Sequence, residues 1–284
     1  MSQIETQTQP APTATIARLP SMSVIIPSYN NLPVLVKCLK SLYKTSLPYG
    51  QQSRLEILVQ DDCSPDFSIY DVIGMEPASA QRNERNLGFA GNCNAGAARS
   101  NGDVLMFLNQ DTVAHDGWFD PLMSMFDDPI VGIAGPKLVT HQARPVGSGV
   151  EEWDAIQSCG GLYGGNRGPF HRWLGWSADD WRVNVRERVS WITGAALAIR
   201  RDLFFKVGGL DVGYERGYFE DVDLCEKVKA AGYEIWYCPD AIFQHLVGTS
   251  GGVPAEVFKT NSMRFHRRWD AMITPDTGII HVNY

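Results

Sequence analysis

Short apolar runs that end in polar clusters are the feature that most constrains this chain. The runs cover residues 22–27, 55–59 and 104–108, and their Val, Ile and Leu content is typical of buried strands. Helical patterns separate them, which predicts an α/β fold with a mainly parallel sheet. Polar residues 60–66 and 109–112 follow the second and third runs. Ligands bind beyond the carboxyl ends of strands in such sheets, so we expect both clusters in one cleft.

The helix after the first strand has the clearest pattern. We expect Asn30-Asn31 to cap it and Pro33 to lie in its first turn. Further along, we predict a helix over 118–126 and strands over 130–134, 191–199 and 235–238. Four leucines recur at helical spacing and form one apolar face of the first helix: Leu32, Leu35, Leu39 and Leu42.

Composition excludes several classes of protein. The formal net charge is −7 and no Lys/Arg-rich run occurs, which argues against nucleic acid as a partner. No apolar stretch approaches the roughly 18–20 residues that span a bilayer, and no signal peptide is visible. The six cysteines are scattered without a C-x-x-C pair, so we expect reduced thiols in a cytoplasmic protein. Residues 1–20 carry little that can be buried, and we expect a disordered tail.

The segment 141–189 breaks the strand–helix rhythm. It has five glycines between positions 160 and 168 and four tryptophans, so we expect an irregular segment. We interpret residues 150–182 as an acceptor and lid region, with Trp176 and His171 as contacts. The alternative is that the tryptophans pack on the sheet as a small core of their own.

Two side chains are candidates for metal binding. Asp111, in Asn109-Gln110-Asp111, follows a buried strand, and carboxylate oxygens suit a hard divalent cation. The alternative is an ordinary turn, in which Asn and Asp are common. A neutral imidazole at His245 would complete a Mn²⁺ site, although a single histidine is more often structural.

Two further carboxylates are candidates for other roles. Asp221, in Glu220-Asp221, opens a predicted helix, where a carboxylate is stabilised by free N–H groups. It is either a general base or a carboxylate whose charge only stabilises the start of the helix. Asp61 follows a strand, and it either accepts a hydrogen bond from a nucleobase or belongs to a turn.

The order and spacing of these motifs strongly resemble family 2 glycosyltransferases. The resemblance is greatest to the rhamnosyltransferase-like and galactofuranosyltransferase-like branch, and it covers about residues 22–250. It implies the GT-A fold, a Rossmann-like, mainly parallel sheet flanked by helices. Eight segments carry it in order: 24–30, 60–64, 85–91, 107–111, 193–196, 207–211, 218–224 and 245–250.

The resemblance also implies roles for individual positions in the donor site. Pro27 and Tyr29 border the nucleoside, and Asp61 reads the base with Asp62 beside it. Cys63 stands where glycine is common, which concerns the geometry of that turn. The implied donor-binding set is Pro27, Tyr29, Asp61, Asp62, Arg85, Asn86, Gly88, Asn109 and Gln110.

The same resemblance implies a metal and a base. Asp111 matches the last residue of the D-x-D motif and His245 the histidine that also ligates Mn²⁺ or Mg²⁺. Asn109 replaces the first Asp, which removes one negative charge and leaves metal-independent activity open. Asp221 matches the catalytic base, and we name Glu220 as an acceptor contact.

The implied enzyme is an inverting hexosyltransferase. Its donor would be dTDP-rhamnose or a UDP-sugar, and its acceptor a hydroxyl of a glycan or lipid-linked glycan, with peripheral contact at the inner membrane face left open. We expect one domain over 21–284, with a nucleotide-sugar half to about residue 140 and an acceptor and catalytic half after it. The alternatives are a non-catalytic relative and a sugar-phosphate nucleotidyltransferase, although residues 27–30 lack the Gly-rich, basic loop of the latter. Oligomeric state is not indicated.

Overall fold

The computed structural model describes residues 20–45, 54–65, 78–146, 149–246 and 252–276. The predicted tail therefore lies, except for Pro20, outside the described residues. The helices are α1 (Leu32–Lys44), α2 (Gly88–Arg99), α3 (Phe119–Ser124), α4 (Arg201–Lys206), α5 (Glu220–Ala230) and α6 (Ala255–Trp269). The strands are β1 (Met22–Ser28), β2 (Leu55–Asp61), β3 (Ala78–Arg82), β4 (Val104–Leu108), β5 (Thr112–Ala114), β6 (Val131–Val146), β7 (Gly149–Ser158), β8 (Gly161–Tyr163), β9 (Pro169–His171), β10 (Glu187–Arg188), β11 (Ala196–Arg200) and β12 (Glu234–His245).

The N-terminal part of the central sheet is parallel, as the strand–helix alternation predicts. β4, β1, β2 and β3 lie side by side in that order and run in one direction. All seven residues of β1 are buried, because helices cover both of its faces. Ser28 pairs with Asp61 at the carboxyl ends of β1 and β2, so the residues that follow these strands emerge at one edge.

The C-terminal part of the sheet is mixed. β11 runs antiparallel to both β4 and β6, whereas β12 runs parallel to β6. The whole sheet has the order β10-β12-β6-β11-β4-β1-β2-β3, with β5 paired to β12 and β7 paired to β6. The α/β fold with helices flanking a central sheet is thus confirmed, and the antiparallel β11 is the feature that periodicity does not reveal.

The expectation that residues 141–189 are irregular is wrong for residues 141–158, whereas residues 172–186 consist mainly of turns, bends and a short 3-10 helix. β6 continues to Val146 instead of ending near residue 134, and it pairs antiparallel with β7 along most of its length. β8 and β9 form a separate two-stranded sheet. The partner strand satisfies the backbone hydrogen bonds of a segment whose glycines and tryptophans suggest no regular structure.

Most local predictions for α1 and α5 hold. Leu35, Leu39 and Leu42 are buried and Pro33 lies in the first turn of α1. Asn31 occupies the N-cap position as expected, but it adopts a left-handed conformation with φ of 58° and its side chain makes no capping hydrogen bond. Gly232, with φ of 88°, follows α5 in the conformation in which glycine commonly ends a helix.

Two apolar clusters, one on each face of the sheet, form the core. α1 and α3 pack on one face, and α2, α5 and α6 pack on the other. Phe265 and Trp269 bring α6 into the second cluster, which places the C-terminal helix beside α5. All six cysteines are free thiols, as expected. Within the described ranges, no helix has the length and apolar character needed to cross a bilayer.

Candidate functional site

Neighbouring carboxylates at the end of β2 have different surroundings. Asp61 is fully buried, it accepts a hydrogen bond from the Ser64 hydroxyl, and its Oδ2 lies 3.3 Å from Nη1 of Arg82. Cys63 between these residues has φ of 64°, which explains why glycine would suit that turn. No sequence motif indicates the Arg82 guanidinium as part of this site. It lies here because the β2–β3 register sets Arg82 opposite Asp61.

Asp62 holds the start of α2. Its Oδ1 accepts the backbone N–H of Leu87 at 2.7 Å, and its Oδ2 accepts that of Gly88 at 2.9 Å. Asn83 donates a further hydrogen bond of 2.9 Å to Oδ1. These contacts satisfy N–H groups that the helix itself leaves free. They give Asp62 a structural task, and its implied contact with a donor stays a prediction.

Gln110 ties the end of β1 to the segment after β4. Its Oε1 accepts the Ser28 hydroxyl at 2.7 Å, and its Nε2 donates to the carbonyl oxygens of Tyr29 and Asn30 at 3.2 and 3.3 Å. Gln110 is buried, so these bonds fix the loop that carries Asp111. The remaining implied donor-site positions divide by exposure: Pro27 is buried, Asn109 is partly buried, and Tyr29, Arg85 and Asn86 are exposed.

Asp111 and His245 meet although 134 residues separate them. Nε2 of His245 lies 3.1 Å from Oδ1 of Asp111. The pairing of β12 with β5 sets Thr112 opposite His245, and the Leu246 N–H donates to the Asp111 carbonyl at 2.8 Å. His245 is the last residue of β12, where the sequence reading placed it after a shorter strand. The Asp111 side chain is buried, at 4% exposure, and that of His245 is partly buried, at 12%.

These side chains fit a hard divalent cation. A carboxylate oxygen and an imidazole nitrogen face each other, and Nδ1 of His245 is buried without a hydrogen-bond partner among the described residues. No cluster of three or more His, Cys, Asp or Glu ligands occurs in the described part of the chain. Few protein ligands are expected where the cation is shared with substrate phosphates and water.

Glu220 and Asp221 begin α5. Oδ2 of Asp221 accepts the Gly194 N–H at 2.8 Å, and Oδ1 accepts the N–H of Val222 at 2.8 Å. Burial raises the pKa of Asp221, and these backbone N–H groups oppose the rise. Glu220 is 4% exposed, and its Oε2 has no hydrogen-bond partner in the described residues. Burial, and then the charge of Asp221, raises the pKa of Glu220 well above its ordinary value.

The turn at 193–195 connects Asp221 to the loop that carries Asp111. Its Gly194 N–H donates to Asp221, and its Ala195 carbonyl accepts the Asn109 N–H at 2.9 Å. Asn109 lies two residues before Asp111 on the same short loop. One turn therefore contacts both candidate segments. Its sequence, Thr193-Gly194-Ala195, contains no ionisable side chain. A search of the sequence for catalytic or metal-binding side chains therefore does not indicate this turn.

His171 and Trp176 have different environments. The pKa of His171 is lowered to about 4, first by burial and second by the charge of His245. Its Nδ1 lies 3.1 Å from the Ser158 hydroxyl. Trp176 packs edge-on against Trp173 at 4.6 Å between ring centres, with the Arg182 guanidinium 4.1 Å from its ring centre. Trp173 and Trp176 are partly buried whereas Trp181 is exposed, so the four tryptophans do not share one environment, and the acceptor contacts of Trp176 and His171 stay a prediction.

Bacterial proteins are similar in sequence to this chain over most of its length. An uncharacterized protein of Sinorhizobium fredii is 29% identical over 263 residues, which are 89% of this chain and 27% of that protein. The pre-mycofactocin glycosyltransferase of Mycobacterium tuberculosis is 28% identical over 228 residues, which are 79% of this chain and 42% of that enzyme. The chain thus spans less than half the length of either relative.

A solved structure and a family model both relate this chain to glycosyltransferases. The structure of GalNAc-T7 with UDP, GalNAc and Mn²⁺ superposes with a TM-score of 0.70 at 20% identity, covering 89% of this chain and 49% of that one. The fold is therefore that of the GT-A glycosyltransferases. The model described as "Glycosyl transferase family 2" matches residues 23–193, more than half of the sequence. The chain belongs to glycosyl transferase family 2.

Proposed function

We propose that this protein transfers a sugar from a nucleotide-diphosphate donor to a hydroxyl group of an acceptor. The observation that carries the proposal is the double contact of the 193–195 turn, with Asn109 on one side and Asp221 on the other. The proposed general base and the proposed cation-binding pair are thereby tied to one turn. A displacement at a single carbon requires such groups to keep a fixed orientation to each other.

Asp221 is the proposed general base. It takes the proton from the acceptor hydroxyl while that oxygen forms a bond to the anomeric carbon. The bond from this carbon to the diphosphate oxygen breaks, and the nucleoside diphosphate leaves with the electron pair. Attack from the face opposite the leaving group inverts the anomeric configuration. A raised pKa suits this work, because a carboxylate near its own pKa accepts a proton more readily.

Asp111 and His245 are the proposed ligands of Mn²⁺ or Mg²⁺. Such a cation, when bound, neutralises negative charge on the donor diphosphate and on the departing nucleotide. The described pair supports this role through the 3.1 Å approach of Oδ1 and Nε2. Asn109 adds no charge to the site, so we expect weaker cation binding than an Asp-x-Asp sequence would give.

The proposed donor-binding residues lie at the edge of the sheet where β1 and β2 end. Asp61 ends β2 at the edge reached by the Gln110 loop, and we propose that it reads the nucleobase. Arg82, its ion-pair partner, is the last residue of β3, and the loop that follows carries the exposed Arg85 and Asn86. dTDP-rhamnose and UDP-hexoses are the donors to test first, because the motifs resemble the rhamnosyltransferase-like branch. The proposed acceptor is a glycan or a lipid-linked glycan, and residues 21–284 are proposed to act as one domain.

Calorimetry with a panel of nucleotide diphosphates tests the donor site. UDP, dTDP and GDP are titrated with and without Mn²⁺, and we expect one base to bind more tightly when the cation is present. Release of nucleotide from the matching sugar donor, with and without glycan acceptors, then tests catalysis. Binding without release from any donor would indicate a non-catalytic relative, and absence of binding would contradict the donor assignment.

A further inference from the structure

The loop before α5 has an unfavourable backbone conformation. Arg216, Tyr218 and Phe219 have φ values of 58°, 71° and 76°. Residues with side chains seldom adopt this left-handed region, and bulky aromatic residues do so least. A loop of this kind persists only where surrounding contacts hold it, and such loops are concentrated at functional sites.

Asn261 supplies those contacts from α6. Its Nδ2 donates to the carbonyl oxygens of Glu215, Gly217 and Tyr218 at 3.0, 2.9 and 3.3 Å. Its Oδ1 accepts the Glu215 N–H at 3.2 Å. Asn261 is 1% exposed, so water does not compete for these bonds. A single buried carboxamide thus binds both ends of the strained segment.

The strained loop determines how α5 begins. The Phe219 carbonyl accepts the Asp223 N–H at 2.8 Å, which starts the helix immediately after the left-handed residues. Asp221 lies between them in the first turn, where its Oδ2 must reach the Gly194 N–H. Phe219 is anchored against Phe258 of α6, with ring centres 5.3 Å apart. A change of φ at Tyr218 or Phe219 would rotate this turn and move the carboxylate.

We propose that Asn261 is a positioning residue for the Glu220–Asp221 site. Its carboxamide holds residues 216–219 in the positive-φ conformation that directs the Asp221 carboxylate. The inference rests on the proposed function, since the value of that placement is proton removal from the acceptor. It extends the active site to α6, which lies outside the 23–193 region that the family model matches.

Asn94 provides a matched control. Its Oδ1 accepts the Leu210 N–H at 3.0 Å and its Nδ2 donates to the Leu210 carbonyl at 2.8 Å. It is therefore another asparagine that holds a loop backbone from a neighbouring helix. Asn94→Ala removes a similar carboxamide, which contacts the α4–α5 connection at Leu210, outside the strained residues 216–219.

The test compares Asn261→Ala, Asn261→Asp and Asn94→Ala with the unaltered protein. Hydrogen exchange measures loop opening, calorimetry with UDP or dTDP and Mn²⁺ measures donor binding, and steady-state kinetics separates kcat from KM. We expect faster exchange at residues 216–222 in both Asn261 variants and about 10–100-fold lower kcat, with donor binding retained. Asn94→Ala should keep kcat and the exchange rates of that loop.

Asn261→Asp separates hydrogen bonding from packing. It keeps the shape of the side chain but replaces the donor with an acceptor that faces carbonyl oxygens, so the hydrogen bonds to the loop are lost while the volume is kept. Unchanged exchange at 216–222, or unchanged kcat, in this variant overturns the proposal even if Asn261→Ala does not fold. If the unaltered protein acts on no nucleotide sugar while the exchange difference persists, the proposed function fails and the structural hold on the loop stands separately.

Discussion

The Gly194 N–H donates a 2.8 Å hydrogen bond to Oδ2 of Asp221, across 27 residues of sequence. Gly194 lies just beyond the end of the family-model match, and Asp221 begins a helix in the part after it. A Cβ atom at Gly194 would lie 3.3 Å from the Phe89 ring and 3.4 Å from Cβ of Asp221, so the turn fits closely between them. This close fit is the reason that the carboxylate has a defined direction.

Asp221→Asn should abolish most transfer while leaving donor binding intact. The amide keeps the size of the side chain but cannot take a proton, so we expect kcat to fall about 10²–10⁴-fold. In the unaltered protein, kcat should decline on the acid side as pH falls through the raised pKa of Asp221. Asp120→Asn on the exposed surface of α3 is the control. Near-normal turnover by Asp221→Asn would refute the base assignment.

Glu220→Gln should stabilise the fold at neutral pH. The native pKa of Glu220 is raised by burial, so the native state binds more protons than the unfolded state above the ordinary value of 4.5. Stability of the unaltered protein is therefore lost as pH rises through that window, by about 1.4 kcal/mol per unit of raised pKa. Melting temperatures from pH 4 to 8, roughly the window in question, measure this loss.

The comparison variant for this prediction is Glu84→Gln, which changes an exposed carboxylate. The gap in melting temperature between Glu220→Gln and the unaltered protein should widen as pH rises and nearly close at the acid end. A constant gap across the range would argue that the carboxyl of Glu220 is not held protonated by burial.

Asp111→Asn and His245→Ala should each weaken the effect of Mn²⁺ on nucleotide binding. Loss of outer ligand contacts alone costs about 10–100-fold in metal affinity, so loss of a direct ligand should cost at least about tenfold. Calorimetric titration of Mn²⁺ in the presence of UDP or dTDP measures this change without any turnover. His141→Ala removes an exposed histidine of the β6–β7 hairpin and should leave the titration unaltered.

Asn109→Asp tests the departure from the Asp-x-Asp pattern. The variant adds a negative charge two residues before Asp111, so we expect tighter Mn²⁺ binding at low salt. The expected result is a lower Mn²⁺ concentration for half-maximal nucleotide binding. An unaltered midpoint would place the Asn109 side chain away from the cation.

Asp62→Ala should reduce stability more than it alters base selection. The variant leaves the N–H groups of Leu87 and Gly88 without their carboxylate, and loss of such a cap costs about 0.5–2 kcal/mol. Denaturant unfolding measures the loss. Asn86→Ala removes only the 3.1 Å bond to the Gly88 N–H and should cost less. A change in preferred base, with no loss of stability, would instead favour the donor role implied by the resemblance.

Local patterns were sufficient for three strands of the parallel part of the sheet. β1, β2, β4 and α1 could be predicted because buried strands are continuous apolar runs and a surface helix repeats its leucines every three or four residues. β3 was not predicted, because most of its residues are polar and it is held by pairing with β2. The prediction of an irregular segment failed between 141 and 158, because β6 and β7 are stabilised by pairing with each other. Asn31 shows the same limit at a single residue, since it precedes α1 as expected but its side chain makes no capping hydrogen bond.

The candidate site divides along the same line. The sequence by itself determined which residues are candidates for chemistry, because Asp111, Asp221 and His245 are ionisable residues in spaced motifs. Only the tertiary structure decided how they are held: the β5–β12 pairing joins Asp111 to His245, and the 193–195 turn orients Asp221. Asn261 belongs to this second group. Its function depends on contacts with backbone carbonyls far away in sequence, and such contacts leave no local pattern of charge or hydrophobicity.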